Sequence, residues 1–277
     1  MTDLTGKIAL VTGAGGEHGI GRAIAVRLAT DGADVVVNDV VKVPYSGPSD
    51  GWKGLATVVE EIATLGRSSL AIEADVSDAV QVQNMVDEVI DKFGHIDILV
   101  NNAGSRPGKD RVPVVDLEEE VWDQVQRVNV KGTFLCCRAV VREMIDHEQG
   151  GKVINISSTA GRQGVAKYAA YCTSKFAIIG FTQSLAQEVG PFGINVNAIC
   201  PGLTDTERVD FMADALAPEG ITGTDYRPEM LEDFASQVAM GRVAKPDDIA
   251  RTAAFLSSSE SDYLTGLSIP VCGGIQM

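Results

Sequence analysis

Apolar and polar positions run along this chain in blocks that switch between two periods. Short, nearly continuous apolar runs read as strands buried on both faces. They are Lys7–Thr12, Asp34–Asn38, Ser69–Glu73, Ile96–Asn101, Lys152–Ile156, Ile194–Ile199 and Leu267–Val271. Between them apolar residues recur at helical spacing, as Ile20, Ile24 and Leu28 do. This predicts helices near 20–32, 55–66, 78–93, 118–147, 169–190 and 247–257. Pro246-Asp247-Asp248 suits a helix start, with proline in the first turn and carboxylates at the positive end. Alternating strand and helix call for a parallel sheet covered on both faces. The expectation is therefore an α/β fold, a doubly wound sheet of seven parallel strands.

Two stretches break the alternation. Val40 to Gly54 is rich in Pro, Gly and Ser and reads as an ordered surface loop inserted after the second strand. Leu203 to Val243 is long and mixes Leu203, Phe211, Met212, Leu216, Tyr226, Met230 and Phe234 with many carboxylates. Amphipathic helices docked on a neighbour would give the same pattern as a flap over a ligand.

Candidate chemistry begins with Tyr171 and Lys175, four residues apart, and Ser158 thirteen residues upstream. On a helix, positions i and i+4 share a face. A cation beside a phenol favours the ionised form, which suits a general base, and a hydroxyl can hold an oxygen on which charge develops. Alone, such a pair is more often a packed ring beside a solvated ammonium. The first strand leads into Gly13-Ala14-Gly15-Gly16-Glu17-His18-Gly19-Ile20-Gly21 and then a helix. That order turns a glycine-rich turn into a cradle for a diphosphate at a helix N-terminus. Asp39 ends the second strand eighteen residues after Gly21. An acidic residue there accepts hydrogen bonds from the ribose of NAD and repels the extra phosphate of NADP. With no arginine in the glycine loop, NAD is favoured over NADP, although Lys42 is a candidate phosphate partner.

The chain resembles the short-chain dehydrogenases/reductases from Gly6 to Gly274. The motifs that carry the likeness are Thr12-Gly13…Gly19-Ile20-Gly21, Asp75-Val76, Asn101-Asn102-Ala103-Gly104, Asn129 in Asn-Val-Lys-Gly, Ser157-Ser158, Tyr171…Lys175 and Pro201-Gly202…Thr206. The resemblance implies a single Rossmann domain spanning residues 1–277, with residues 203–243 as a mobile lid over the substrate. It implies Tyr171 as general acid/base and Lys175 as the cation that supports it and bonds the nicotinamide ribose. Ser158 would orient the substrate oxygen, and Asn129, at a bend in a long helix, would hold a water linking Lys175 to solvent. Asp75 and Val76 would border the adenine, and Asn102 the adenosine side. Pro201, Gly202, Thr204 and Thr206 would border the nicotinamide carboxamide. Capping or bracing is the plain alternative for Asn102 and Asn129.

The likeness has departures. Five residues separate Gly13 from Gly19 where the family usually has three, so only the flanking glycines and Ile20 carry over. Position 204 is threonine where an aliphatic residue is commoner. The insertion at 40–54 also occurs in branches that hold NAD tightly and reoxidise it with another carrier. The activity implied is reversible hydride transfer between NAD and a secondary alcohol or ketone. A sugar, cyclic or terpenoid alcohol is the favoured substrate, and a 3-oxoacyl or 3-hydroxyacyl thioester the alternative. A non-catalytic NAD-binding protein and an isomerase or dehydratase that retains NAD are remoter readings. One of Arg106, Lys109, Arg111 and Arg162 can bind an anionic substrate group, although exposed arginines are commoner.

Composition adds limits. The 277 residues, 45% hydrophobic, suffice for one substantial core. A net charge of −15 argues against a nucleic-acid partner. No apolar span approaches ~18 residues, so no membrane helix is expected. The N-terminus lacks a cationic then apolar signal. Five cysteines without C-x-x-C spacing fit a reducing cytoplasm. Cys136, Cys137, Cys200 and Cys272 are expected in the core, and Cys172 points about 100° from Tyr171 around a helix. His18, His95 and His147 are scattered, so no metal site is expected. The resemblance implies a homo-oligomer, dimer or tetramer, through the helices near 118–147 and 169–190, with Gly273–Met277 close to a subunit contact.

Overall fold

Seven short apolar runs pair into one sheet, which satisfies backbone N–H and C=O groups that would otherwise be buried unpaired. The computed structural model describes residues 2–45 and 49–275. The middle of the insertion and the last two residues of the C-terminal stretch therefore lie outside the described residues. The strands are β1 (Ile8–Thr12), β2 (Asp34–Asp39), β3 (Ser69–Glu73), β4 (Ile98–Asn101), β5 (Gly151–Ile156), β6 (Ile194–Pro201) and β7 (Ser268–Val271). Every pairing is parallel, and the order is β3-β2-β1-β4-β5-β6-β7. The chain reverses its direction of travel across the sheet between β1 and β4. That is the switch point at which such sheets open a crevice at their carboxyl ends.

Side chains alternate between two cores, as the two-residue period of a strand requires. Ala9, Val11, Val35, Val37, Val100 and Ile154 face one of them. Helices α1 (Ile20–Thr30), α2 (Leu55–Thr64) and α9 (Pro246–Ser257) cover that face with Ile24, Leu28, Val58, Ile62 and Ile249. Leu10, Val36, Leu99, Val153 and Val196 face the other. There α3 (Ala79–Phe93), α5 (Gly132–His147) and α6 (Ala169–Val189) contribute Met85, Val89, Val140, Met144 and Val189.

The helix expected over 118–147 is not continuous α-helix. It begins as α4 (Glu119–Gln126), widens into a π-helical turn over Arg127–Lys131 and resumes as α5. Widened turns of this kind tend to mark functional positions, and Asn129 sits inside this one. The Leu203–Val243 stretch folds as two helices, α7 (Arg208–Leu216) and α8 (Gly223–Gln237). Val209, Ala213 and Met230 are buried between them, with Leu203, Met212, Leu216, Tyr226, Leu231 and Phe234 packed around. Gly223 allows the close crossing, since a Cβ there would lie 1.9 Å from Asp214 Oδ1. Among the described residues no helix is long and apolar enough to cross a membrane.

Candidate active site

The glycine loop is held from both sides. Gly13 has φ +66°, and a Cβ on it would lie 2.7 Å from Ala103 Cα. A Cβ on Gly21 would lie 2.3 Å from Gly13 O and 2.5 Å from Asn102 Nδ2. Both positions therefore demand glycine. Asn102 braces the loop by donating from Nδ2 to Thr12 O (2.9 Å) and Gly13 O (2.8 Å). Thr12 Oγ1 accepts the N–H groups of Asn102 and Ala103, both at 3.1 Å. Helix α1 starts at Gly19 with no side-chain cap and no acidic residue in its first turn. Its free N–H groups are thus available to an anion.

Asp39 closes the end of β2, 9% exposed. Its Oδ2 accepts the Gly15 N–H at 3.0 Å, and its Oδ1 accepts the Val40 N–H at 2.9 Å. Burial raises its pKa, opposed by those two N–H groups and by the charges of Arg208 and Arg106. Asp75 and buried Val76 follow β3, and Asp75 Oδ1 accepts the Ser77 N–H at 2.8 Å. Val76 packs so closely on α5 that a Cβ at Gly132 would lie 2.8 Å from Val76 Cγ2.

Tyr171 and Lys175 lie on one face of α6, the Lys175 ammonium 5.6 Å from the Tyr171 ring centre. Lys175 is 5% exposed and donates to Ile156 O at 2.8 Å. Burial, followed by the charge of Arg208, lowers its pKa to about 7. Ser158 follows β5 and caps a short 3-10 turn, its Oγ accepting the Ala160 N–H at 3.1 Å. Ser157 Oγ instead donates to Lys175 O at 2.8 Å, tying the strand end to α6. Asn129 is fully buried; its Oδ1 accepts the Ser105 N–H (2.7 Å) and its Nδ2 donates to Ser174 Oγ (2.9 Å). It thus clamps the loop after β4 to α6, one residue from Lys175. Thr204 Oγ1 donates to Gly202 O at 3.1 Å, and buried Thr204 and Thr206 lie between β6 and α7.

Some side chains at the site carry no motif in the sequence. Arg111 is 3% exposed, not a surface arginine, and pairs with buried Asp110. Its guanidinium lies 4.1 Å from the Tyr168 ring centre and 4.8 Å from that of Tyr171. Its burial comes from tertiary stacking that no local pattern records. The insertion packs on the glycine loop, with Trp52 Nε1 donating to Gly15 O at 3.3 Å and Arg22 5.2 Å from the Trp52 ring centre. It also meets α7. Tyr45 and Phe211 lie 5.9 Å apart, and Arg106 stacks on both while donating to Pro44 O at 2.6 Å. Arg208 donates to Gly104 O at 3.1 Å and to Ser105 O. An open cleft of about 780 Å3 lies beside α1 and α9, lined by Glu207 among others, and Tyr171 does not line it. Cys136, Cys137, Cys172 and Cys200 are buried, whereas Cys272 is only half-buried. Among the described residues no cluster of three His, Cys, Asp or Glu side chains suits a metal ion.

A nicotinamide dinucleotide suits these residues: a tight glycine loop, an uncapped helix end, a carboxylate closing β2, and a Tyr/Lys pair at the neighbouring strand end. Residues 13–276 match a family model described as enoyl-(acyl carrier protein) reductase, of the short-chain dehydrogenase type. The chain belongs to the short-chain dehydrogenase/reductase family, and it is an oxidoreductase. It is 38% identical over 271 residues to the 3-oxoacyl-(acyl-carrier-protein) reductase FabG of Staphylococcus aureus, covering 98% of each chain. It is also 38% identical over 272 residues to galactitol 2-dehydrogenase of Agrobacterium fabrum, again covering 98% of each. Carveol dehydrogenase of Mycobacterium avium in complex with NAD superposes with a TM-score of 0.89 at 28% identity, covering 99% of both chains.

Proposed function

We propose that the protein interconverts a secondary alcohol and a ketone with NAD as hydride carrier, and that the substrate is a sugar, cyclic or terpenoid alcohol. The observation that carries this reading is the Tyr171/Lys175 pair on one face of α6 beside a glycine loop closed by a buried aspartate. Bound NAD supplies the hydride acceptor. Tyr171 takes the hydroxyl proton of the alcohol, or returns it to the ketone oxygen. Lys175, anchored by Ile156 O, presents its ammonium toward the phenol and the nicotinamide ribose. Ser158 holds the reacting oxygen, and Asn129, tied to α6 through Ser174, would hold a water that links Lys175 to solvent. Asp39 accepts from the adenosine ribose and repels a 2′-phosphate. Gly13, Gly19 and Ile20 face the diphosphate. Asp75, Val76, Asn102 and Gly104 border the adenosine half, and Pro201, Gly202, Thr204 and Thr206 the carboxamide.

The NAD-bound carveol dehydrogenase and galactitol 2-dehydrogenase support the alcohol reading. The FabG relative, equally identical, supports a 3-oxoacyl thioester as the second reading. A homo-oligomer joined through α5 and α6 fits the exposed Phe134 and Phe176 on those helices. A cytoplasmic setting fits the buried, unbridged thiols. The test is absorbance at 340 nm with NAD and with NADP across sugars, cyclic and terpenoid alcohols, and hydroxyacyl thioesters. Turnover with NAD on one alcohol class supports the reading. Turnover only on thioesters favours the second, and NADP preference removes the role given to Asp39.

A further inference from the structure

Glu207 immediately precedes α7, yet its carboxylate caps nothing there. It reaches instead to the glycine loop, where Oε1 accepts the His18 N–H at 2.5 Å. Its other oxygen, Oε2, is buried and has no hydrogen-bond partner among the described residues. A Cβ placed on Gly16 would come within 3.4 Å of that oxygen. An anion therefore already sits against the loop, one residue before the uncapped start of α1, and half of its acceptor capacity is unspent. A buried acceptor left unpaired carries a desolvation cost, so this contact is easily exchanged. Beside it, Arg208 spends its guanidinium on two loop carbonyls, Gly104 O and Ser105 O. Its charge reaches both Asp39 and Lys175, so it lies within electrostatic range of each.

We propose that Glu207 is a lid-borne rival of the cofactor diphosphate: its carboxylate holds the lid on the glycine loop, cofactor binding displaces it, and Arg208 then pairs with the diphosphate. Lid position and cofactor capture are on this account one equilibrium. Glu207 taxes cofactor affinity, because the fraction of molecules with the loop covered cannot bind. Arg208 repays it, since a guanidinium matches the paired oxygens of a phosphate. The inference rests on the NAD reading above.

The test is calorimetric titration of cofactor-stripped protein with NADH, ADP-ribose and adenosine, comparing wild type with Glu207→Gln, Glu207→Ala, Arg208→Gln and Glu219→Gln. Glu219 is an exposed carboxylate on the turn between α7 and α8, and its change controls for net charge alone. Removing the Glu207 carboxylate is expected to tighten NADH and ADP-ribose by about three- to tenfold and to leave adenosine unchanged. Arg208→Gln is expected to weaken both by about tenfold and to flatten their salt dependence. In the cofactor-free protein, amide exchange at His18 should speed up in Glu207→Ala. Equal affinities for wild type and both Glu207 variants, or a Glu219→Gln change as large as theirs, would overturn the proposal. If wild type binds adenosine but neither NADH nor ADP-ribose, the dinucleotide reading itself falls and takes this proposal with it.

Discussion

Lys175 is an ammonium enclosed by protein, with one carbonyl for company and Arg208 within electrostatic reach. Burial pushes its pKa down from 10.5 to about 7. Between those two values the unfolded chain binds the proton and the folded chain does not. The folded protein therefore gains stability as pH rises through that window, and the cost of the buried charge is full below about 7. Lys175→Met in the cofactor-free protein should accordingly melt higher than wild type at pH 6, and the gap should close toward pH 10. Thermal melts across that range check it; a gap that grows with pH would contradict it. The position of Lys175 relative to Tyr171 was readable from the sequence, because four residues on a helix fix a shared face whatever surrounds it. The burial of Arg111 against Tyr168 and Tyr171 was not, because it depends on a loop folding back over α6 and leaves no periodic trace.

At the scale of elements, periodicity located the seven strands and the helices that cover them to within a few residues. Alternation in the strands and the 3.6-residue repeat in the helices are both imposed by burial on a two-faced sheet. The π-helical turn at Arg127–Lys131 left no trace in the periodicity, since one extra residue per turn barely alters an apolar stripe, and only the resemblance put a bend at Asn129. Helices α7 and α8 were only one of two readings of their stretch, for another reason. Their small core of Val209, Ala213 and Met230 faces inward between them, and carboxylates fill the rest of the pattern. The insertion is anchored at its exit by Gly54, where φ is +63° and a Cβ would lie 1.8 Å from Lys42 O. Neither the angle nor the space admits a side chain. Gly54→Ala is expected to cost about 2 kcal/mol or more and to loosen the loop. A lowered melting temperature and faster proteolysis within residues 40–54 would show it, while an unchanged melt would mean that the loop carries little of the fold.

The molecule as a whole is an acidic α/β protein whose strand ends gather the glycine loop, Asp39, Asn129, Ser158 and the Tyr171/Lys175 pair along one edge of the sheet. The order of motifs made this gathering legible, because parallel strands must all end on the same side. The contact between the insertion and α7, through Tyr45, Arg106 and Phe211, was not, since it joins segments far apart in the chain. Phe134 on α5 and Phe176 on α6 are 41% and 47% exposed, an apolar face suited to a second copy. Light scattering after size exclusion should show a dimer or tetramer for wild type, and a smaller species for Phe134→Asp combined with Phe176→Asp. A wild-type monomer would contradict the assembly.

The role proposed for Tyr171 is to transfer the proton in a hydride exchange with NAD. It is tested most directly by comparing NADH formation at 340 nm for wild type and Tyr171→Phe on the best alcohol of the panel, alongside NADH titration of both. The account predicts that the variant binds NADH like wild type but turns over about 100- to 10,000-fold more slowly. Turnover within tenfold of wild type at equal NADH affinity would show that another group handles the proton.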